Sequence, residues 1–165
     1  MLKIAICDDD NSFLQNVKFL INKIYSNPDK LSIYEYESGE QFLLQFKPQL
    51  YDVIILDIEM CGITGLEVAE EIRKIDKSVI LAFFTSHQEF ATLGYEVNAF
   101  RYILKNQPEH MFINQFKSIF DEYHQSHITF PVQASSEVVN VLVSDILYFE
   151  IFKRTVVLHT IKKKY

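Results

Sequence analysis

The chain contains 165 residues, a length that favours one domain with at most a small addition and allows a substantial buried core. A hydrophobic fraction of 48% and an aromatic fraction of 14% exclude an intrinsically disordered chain. The net charge of −6 is unevenly distributed: residues 1–125 carry 11 Lys/Arg and 19 Asp/Glu, whereas residues 126–165 carry 5 and 3. The acidic first part argues against nucleic-acid binding there, whereas the tail is compatible with it.

The cysteine content and the hydrophobic pattern indicate the compartment. Cys7 and Cys61 have no spacing typical of a zinc site or a disulfide framework. No apolar run approaches the roughly 20 residues that a membrane span needs, and the N-terminus has a strand pattern rather than that of a signal peptide. We therefore expect a soluble protein of the reducing cytoplasm that has no membrane partner.

Residues 1–125 alternate short apolar segments with segments of helical period. The predicted strands are Leu2–Cys7, Leu31–Tyr36, Tyr51–Leu56, Val79–Phe84 and Phe100–Leu104. Predicted helices follow them, beginning at Asn11, after a Ser38 cap, at Leu66, around Glu89–Tyr95 (a short one) and near Pro108. The first helix carries its apolar residues on one face: Phe13, Val17, Leu20, Ile21 and Ile24. Five such units predict an α/β fold, a doubly wound five-stranded parallel sheet with helices on both faces.

The pattern changes near His127, where we place a boundary between residues 1–126 and 127–165. The tail consists of short β-rich segments without helices: Ile128–Val132, Val138–Val143, Ile146–Ile151 and Thr155–Ile161. A unit this small rarely holds a good core alone. It is therefore expected to pack on the main domain, to pair with another copy, or to begin a larger domain.

Polar side chains follow four of the predicted strands. Asp8 and Asp9 come after the first strand, Asp57 after the third, Thr85 ends the fourth and Lys105 follows the fifth. Because the carboxyl ends of parallel strands meet at one edge of a sheet, these groups are expected to lie together. Each has an ordinary explanation: an Asp before a helix is often an N-cap, Thr85 could be one too, and Lys105 could be a solvated strand end. Their joint position at the correct strand ends favours a functional site.

Crowded carboxylates repel one another unless a cation lies between them, and oxygen ligands of this kind suit Mg²⁺. A carboxylate can also be the nucleophile that accepts a phosphoryl group as an acyl phosphate. That chemistry needs the negative charge of the phosphoryl oxygens to be neutralised, which a metal beside Asp9 and the Lys105 ammonium could do.

Residues 1 to about 125 resemble bacterial response-regulator receiver domains. The matching segments are IAICDDD, VIILDIEMCGITGLE, FFTS and NAFRYILK. The resemblance implies a flavodoxin-like sheet of strand order 2-1-3-4-5, followed here by the β-rich segment. It implies that Asp57 is the phosphoacceptor and that Asp9, Asp57 and the backbone carbonyl of Glu59 ligate Mg²⁺ directly, with Asp8 acting through metal-bound water. It also implies that Thr85 donates to the phosphoryl group, that Lys105 pairs with it, and that Tyr102 turns inward on activation.

At two positions the chain lacks a proline that receiver domains usually have. Cys61 stands where the family usually has proline, so we expect a less rigid loop after the acceptor. Asn106 follows Lys105, where the family usually has a cis proline. Since a non-proline cis peptide costs about 2.5–4 kcal/mol, we expect the Lys105–Asn106 peptide to be trans, with a cis peptide strained by the site as the alternative.

The tail has a resemblance of its own. The segment NVLVSDILYFEIFKRTVVLHT is similar to the opening strands of the LytTR DNA-binding domain. Because that domain is much longer, the tail is expected to be part of it, in a truncated chain, and DNA binding is expected only through a complete domain. Lys153, Arg154 and Lys162–Lys164 are candidates for phosphate contacts.

The resemblance implies a phosphorylation-driven switch that receives its phosphoryl group from a sensor histidine kinase, forms a homodimer on phosphorylation and controls transcription. Its chemistry would be limited to accepting the group and losing it again, so we do not expect an enzyme. Two alternatives remain open: a receiver-like interaction module that is not phosphorylated, and an Mg²⁺-dependent phosphatase with an Asp nucleophile. The phosphatases generally carry the nucleophile after their first strand and have a substrate cap, and neither feature is found in this sequence.

Overall fold

The computed structural model describes residues 1–134, 137–153 and 155–164, so Arg154 lies outside the described part of the chain. Five parallel strands form one sheet in the order β2-β1-β3-β4-β5, which confirms the predicted topology. The strands are β1 (Leu2–Cys7), β2 (Leu31–Tyr36), β3 (Val53–Leu56), β4 (Ile80–Thr85) and β5 (Arg101–Leu104).

Four α-helices accompany these strands: α1 (Asn11–Ile24), α2 (Gly39–Gln45), α3 (Gly65–Ile75) and α4 (Glu109–Ser126). The start of α1 is fixed by Asp10, whose carboxylate accepts the backbone N–H groups of Ser12 and Phe13. At the start of α3, Thr64 and Glu67 form a reciprocal capping box. These caps end the strand–helix connections at defined residues, and so fix where the loops at the sheet edge lie.

The helices cover both faces of the sheet, as the alternation of side chains along β4 illustrates. Phe83 belongs to the core cluster that also contains Phe42 of α2 and Ile72 of α3. Phe84 points the other way, and its ring lies 5.3 Å from the ring of Phe112 in α4. With both faces covered, all four residues of β3 are buried, which explains the unbroken apolar run in the sequence.

The predicted short helix around Glu89–Tyr95 is wrong. This segment contains two single 3-10 turns, Gln88–Phe90 and Leu93–Tyr95, and neither has a side-chain hydrogen bond at its start. Gly94 further disfavours an α-helix, because glycine costs about 1 kcal/mol relative to alanine in a helix interior. A segment this short cannot offset that cost, since helix nucleation is itself unfavourable.

The chain divides into two compact units, Met1–Asp121 and Glu122–Tyr165, and the division falls within α4. The second unit contains two antiparallel hairpins, formed by β6 (Thr129–Ala134) with β7 (Glu137–Leu142) and by β8 (Ile146–Phe152) with β9 (Thr155–Thr160). All four predicted tail strands are therefore present, with ends shifted by at most two residues. The unit buries few side chains, and most of β8 is exposed. Within the described residues, no helix has the length and apolar character needed to cross a membrane.

Candidate functional site

Asp57 lies directly beyond β3, and its backbone still follows the sheet. Its N–H donates to the Cys7 carbonyl at 2.9 Å, and its Oδ1 accepts the Ile58 N–H at 2.7 Å. The first turn of α3 packs against this backbone at Gly65. A Cβ on Gly65 would lie 1.8 Å from the Asp57 carbonyl oxygen, so only glycine allows the helix to approach this closely.

Three carboxylates converge at this edge, as expected. Asp8, Asp9 and Asp57 each offer one oxygen, and these oxygens lie within 4.8 Å of one another. Asp8 Oδ1 accepts the Asp10 N–H at 3.0 Å, and Asp9 Oδ2 accepts the Cys61 N–H at 2.9 Å. The capping of α1 is done by Asp10, so Asp8 and Asp9 are not needed for it.

Lys105 supplies the cation of the cluster. Its Nζ lies 2.6 Å from Asp8 Oδ2 and 2.7 Å from Asp57 Oδ2, and its side chain is only 11% exposed. Burial lowers the pKa of Lys105, but the hydrogen bonds to Asp57 and Asp8 outweigh this, and the net shift is upward. Burial raises the pKa of Asp8 more than Lys105 lowers it. Three carboxylates and one ammonium leave the ionised cluster with a net charge of −2, and this fits a divalent cation.

The donor set suits Mg²⁺, which prefers a few carboxylate oxygens and completes its shell with water or phosphate. Asp8, Asp9 and Asp57 provide the oxygens from two adjacent strand ends. Glu59 belongs to the loop after Asp57, and its side chain is turned to His87, with Oε2 2.8 Å from His87 Nε2. The carboxylate of Glu59 therefore pairs with His87. The predicted role of Glu59 as an Mg²⁺ ligand concerns its backbone carbonyl, not this carboxylate.

Thr85 and Lys105 are brought together by the pairing of β4 with β5, in which the Lys105 N–H donates to the Thr85 carbonyl at 2.8 Å. Thr85 is fully buried, and its hydroxyl accepts the His87 N–H at 3.3 Å. Tyr102 is half-buried, and its hydroxyl donates to the His87 carbonyl. Burial, followed by the charges of Glu89 and Asp57, raises the pKa of Tyr102 to about 12.

Sequence reasoning missed His87, which links two loops. Besides Glu59, its ring contacts Glu89, whose Oε1 lies 2.9 Å from Nδ1. The hydrogen bond to Glu89 and the charge of Glu59 raise the pKa of His87. The sequence signal for His87 was its position two residues beyond Thr85, because this places it close to the same edge of the sheet.

Carboxylates from other parts of the fold accept two backbone N–H groups of the loop after the acceptor. Cys61 donates its N–H to Asp9, which a proline at this position could not do. Glu40 of α2, also missed in the sequence, accepts the Ile63 N–H at 2.9 Å. Gly62, with a φ of 90°, provides the turn between these two anchors. The expected lower rigidity of this loop stays a prediction.

The Lys105–Asn106 peptide is trans as expected, since the described residues contain no cis peptide bond.

The comparison with protein families agrees with this geometry. The model of the response regulator receiver domain matches residues 4–117. The chain belongs to the response regulator receiver family. This match covers all but the first two residues of the sheet, together with the acidic cluster, Thr85 and Lys105, so the residues that meet at the sheet edge all lie within the receiver domain.

The receiver is also similar to curated sensory transduction proteins. It is 33% identical over 104 residues to LytR of Staphylococcus epidermidis, covering 63% of this chain and 40% of that protein. LytT of Bacillus anthracis is 24% identical over 183 aligned residues, which cover 100% of this chain and 72% of that protein. The chain is thus homologous to LytR/LytT-type response regulators of two-component signalling along its whole length. Its matches span less than half of several of these relatives, between 40% and 45%.

Solved receiver structures share the fold. The response regulatory domain of mrkE from Klebsiella pneumoniae has a TM-score of 0.65 and 27% identity, covering 75% of this chain and 99% of that one. The response regulator TrrA from Thermotoga maritima, solved in complex with Mg²⁺–BeF, has a TM-score of 0.60 and 28% identity, covering 72% and 99%.

Proposed function

We propose that Asp57 accepts a phosphoryl group from the phosphohistidine of a sensor histidine kinase. A carboxylate oxygen of Asp57 attacks the phosphorus, a mixed anhydride forms, and the P–N bond breaks with its electron pair remaining on the imidazole. The observation that carries this proposal is the placement of Asp57 Oδ2 against the Lys105 ammonium, at 2.7 Å, within a cluster of three carboxylates.

The residues around Asp57 have separate roles in this proposal. Asp8, Asp9, Asp57 and the Glu59 carbonyl would hold Mg²⁺, and the similar receiver TrrA, solved in complex with Mg²⁺–BeF, supports a site of this kind. Bound Mg²⁺ would neutralise charge on the transferred oxygens. Lys105, already hydrogen-bonded to Asp57, would move its ammonium onto a phosphoryl oxygen.

A conformational change would follow from the new charge. The buried Thr85 hydroxyl would leave the His87 N–H to donate to the phosphoryl group. Since the Tyr102 hydroxyl is bonded to the His87 carbonyl, movement of this loop would release the Tyr102 ring to pack inward. The surface near β5 would change in consequence, and we propose that it then forms a homodimer.

The acceptor proposal is tested by incubating the chain with a small phosphodonor and Mg²⁺, followed by intact mass measurement. The wild type should gain the mass of one phosphoryl group. Asp9→Glu should gain the same mass at a reduced rate, and Asp57→Asn should not gain it. Chelation of Mg²⁺ should abolish the gain. Slow loss after removal of the donor would reflect self-dephosphorylation. An adduct that persists in Asp57→Asn would contradict the assignment, and absence of any adduct would favour an unphosphorylated interaction module.

We further propose that residues 1–126 are the receiver and that residues 127–165 belong to a LytTR-type DNA-binding output unit. Support comes from the LytT alignment, which includes the tail, and from a similar Staphylococcus aureus protein named transcriptional regulatory protein LytR. The exposed apolar side chains of β8 also fit a segment completed by further structure: Leu147, Tyr148, Phe149, Ile151 and Phe152. The exposed thiol of Cys61 accords with a reducing, cytoplasmic location.

The output proposal is tested by fusing strands of a related LytTR domain after residue 165 and measuring binding to DNA. Replacing Lys162, Lys163 and Lys164 by glutamine should weaken binding and reduce its salt dependence. Equal binding by the substituted protein would exclude these lysines as phosphate contacts.

A further inference from the structure

The ammonium of Lys105 has three neighbours rather than the two carboxylates alone. Besides Asp8 and Asp57, the aromatic ring of Phe13 lies against it, with the ring centroid 4.3 Å from Nζ. An ammonium group has three N–H bonds. With two of them directed to carboxylates, the face of an aromatic ring is a favourable site for the remaining positive charge.

Phe13 is held firmly enough to act as a fixed support. It lies in the first turn of α1, where Asp10 accepts its backbone N–H. Its ring lies 5.1 Å from that of Phe84, which is 2% exposed. Phe84 is in turn enclosed by the rings of Phe112 and Phe116 at 5.3 and 5.9 Å. An unbroken aromatic contact therefore runs from the packed core to the Lys105 ammonium.

The side chain of Lys105 needs such a support. Its backbone is fixed to Thr85 of β4, but four flexible bonds separate this anchor from Nζ. The two carboxylates hold Nζ in the resting protein. When Asp57 becomes an acyl phosphate, the negative charge moves from its carboxylate to the phosphoryl oxygens. The reaction does not alter the contact between Lys105 and the ring of Phe13.

We propose that Phe13 is a positioning residue for Lys105: its ring face keeps the ammonium at the acceptor carboxylate and so sets the rate of phosphoryl transfer. This inference rests on the proposed function of Asp57, but its structural part does not. The contact exists in the unphosphorylated protein and can be tested there. The helical spacing of Phe13 suggests only a core residue of α1. The contact with Lys105 gives it a second role.

The structural part is tested by NMR of the lysine side chains. The methylene protons next to Nζ of Lys105 should show an upfield ring-current shift in the wild type. Phe13→Leu, which keeps most of the apolar volume, should abolish the shift, whereas Phe13→Tyr should retain it. Phe112→Leu is the matched control, because it also removes a ring from Phe84 but leaves the Phe13 ring in place. An unchanged Lys105 spectrum in Phe13→Leu would overturn the proposed contact.

The functional part is tested by the rate of phosphorylation with a small phosphodonor at saturating Mg²⁺. We expect Phe13→Leu to slow the reaction about three- to tenfold, a range that corresponds to the loss of one partly buried cation–π contact. Phe13→Tyr and Phe112→Leu should remain within about twofold of the wild type. Mg²⁺ affinity, measured separately by calorimetry, should not change in Phe13→Leu.

Two outcomes refute the positioning role while leaving the acceptor role intact. One is an unaltered rate in Phe13→Leu. The other is an equal loss of rate in Phe112→Leu, which would attribute the effect to general packing. Absence of phosphorylation in the wild type would instead refute the proposed function, and the NMR measurement would then still decide whether Phe13 holds Lys105.

Discussion

Removing the Lys105 ammonium should destabilise the protein in a way that depends on pH. The variant Lys105→Met keeps a long apolar side chain but leaves Asp8 and Asp57 facing each other without their cation. The side chains of these two residues are 4% and 9% exposed, so solvent screens them only partly. Lys105→Met should therefore have a lower free energy of unfolding than the wild type when both are measured without Mg²⁺.

The size of the effect follows from the geometry. The carboxylate oxygens lie within 4.8 Å of one another. At an effective dielectric constant of about 20, two charges at that separation repel by roughly 3.5 kcal/mol. Removing one partner of a buried ion pair costs about 3–5 kcal/mol in other proteins. Burial of the methionine side chain offsets part of this, so we expect a net loss of about 2–3 kcal/mol near neutral pH.

The sign of the pH dependence can be worked out from Asp8. Burial already raises its pKa in the wild type, and without Lys105 the pKa should rise further above the unfolded value of about 4. A carboxyl group with a raised pKa favours the folded state only while it is protonated. The cost of Lys105→Met should therefore grow as the pH rises through the folded pKa, and it should be smaller near pH 5 than near pH 8.

The assay is urea unfolding in chelator, followed by the far-ultraviolet circular dichroism of the helices, because the chain has no tryptophan. A double-mutant cycle with Asp8→Asn separates charge repulsion from packing. Asp8→Asn should recover most of the stability that Lys105→Met loses, and added Mg²⁺ should recover part of it. A variant as stable as the wild type at both pH values, or no recovery with Asp8→Asn, would refute the electrostatic account.

Three further predictions concern other parts of the first unit. Asp76→Ala should cost about 2–4 kcal/mol, because three backbone N–H groups and a hydroxyl lose their acceptor, whereas the exposed Asp29→Ala should cost little. The stability that Asp76 contributes should disappear as the pH falls, since backbone hydrogen bonds overcome burial and lower its pKa. Tyr102 should ionise near pH 12, visible as the tyrosinate absorbance lost in Tyr102→Phe, and its contribution to stability should fall as the pH rises from about 10. Gly65→Ala should destabilise by about 3 kcal/mol through its clash with the acceptor backbone, whereas Gly94→Ala, whose Cβ would meet its nearest atom at 3.6 Å, should not. A small effect of Gly65→Ala, measured by the same urea unfolding, would contradict the close approach of α3.

The sheet and the acidic cluster could be predicted because their signals are local. Val53–Leu56 is an uninterrupted apolar run, and such a run followed by an acid fits a central parallel strand with a polar carboxyl end. The topology then brings Asp9 and Lys105 to the same edge. The segment 88–95 could not be assigned in this way, since helical spacing does not reveal the absence of a cap.

The residues that support the site were harder to find, because their roles depend on contacts between distant elements. Phe13 satisfies the helical pattern of α1, and its second contact, with Lys105, arises only when the fold brings the first turn of α1 next to that lysine. Glu40 reaches a loop 23 residues further along the chain. His87 meets Glu59 across two loops. A single sequence carries no periodic signal for such contacts.

The most direct test of the central claim is to locate the phosphoryl group itself. After incubation with a phosphodonor and Mg²⁺, borohydride reduces an aspartyl phosphate to homoserine, which peptide mass spectrometry can assign to one position. We predict homoserine at position 57 alone, formed only when Mg²⁺ is present. Homoserine at position 8 or 9, or an unmodified Asp57 in a protein that has gained the mass of a phosphoryl group, would contradict the account.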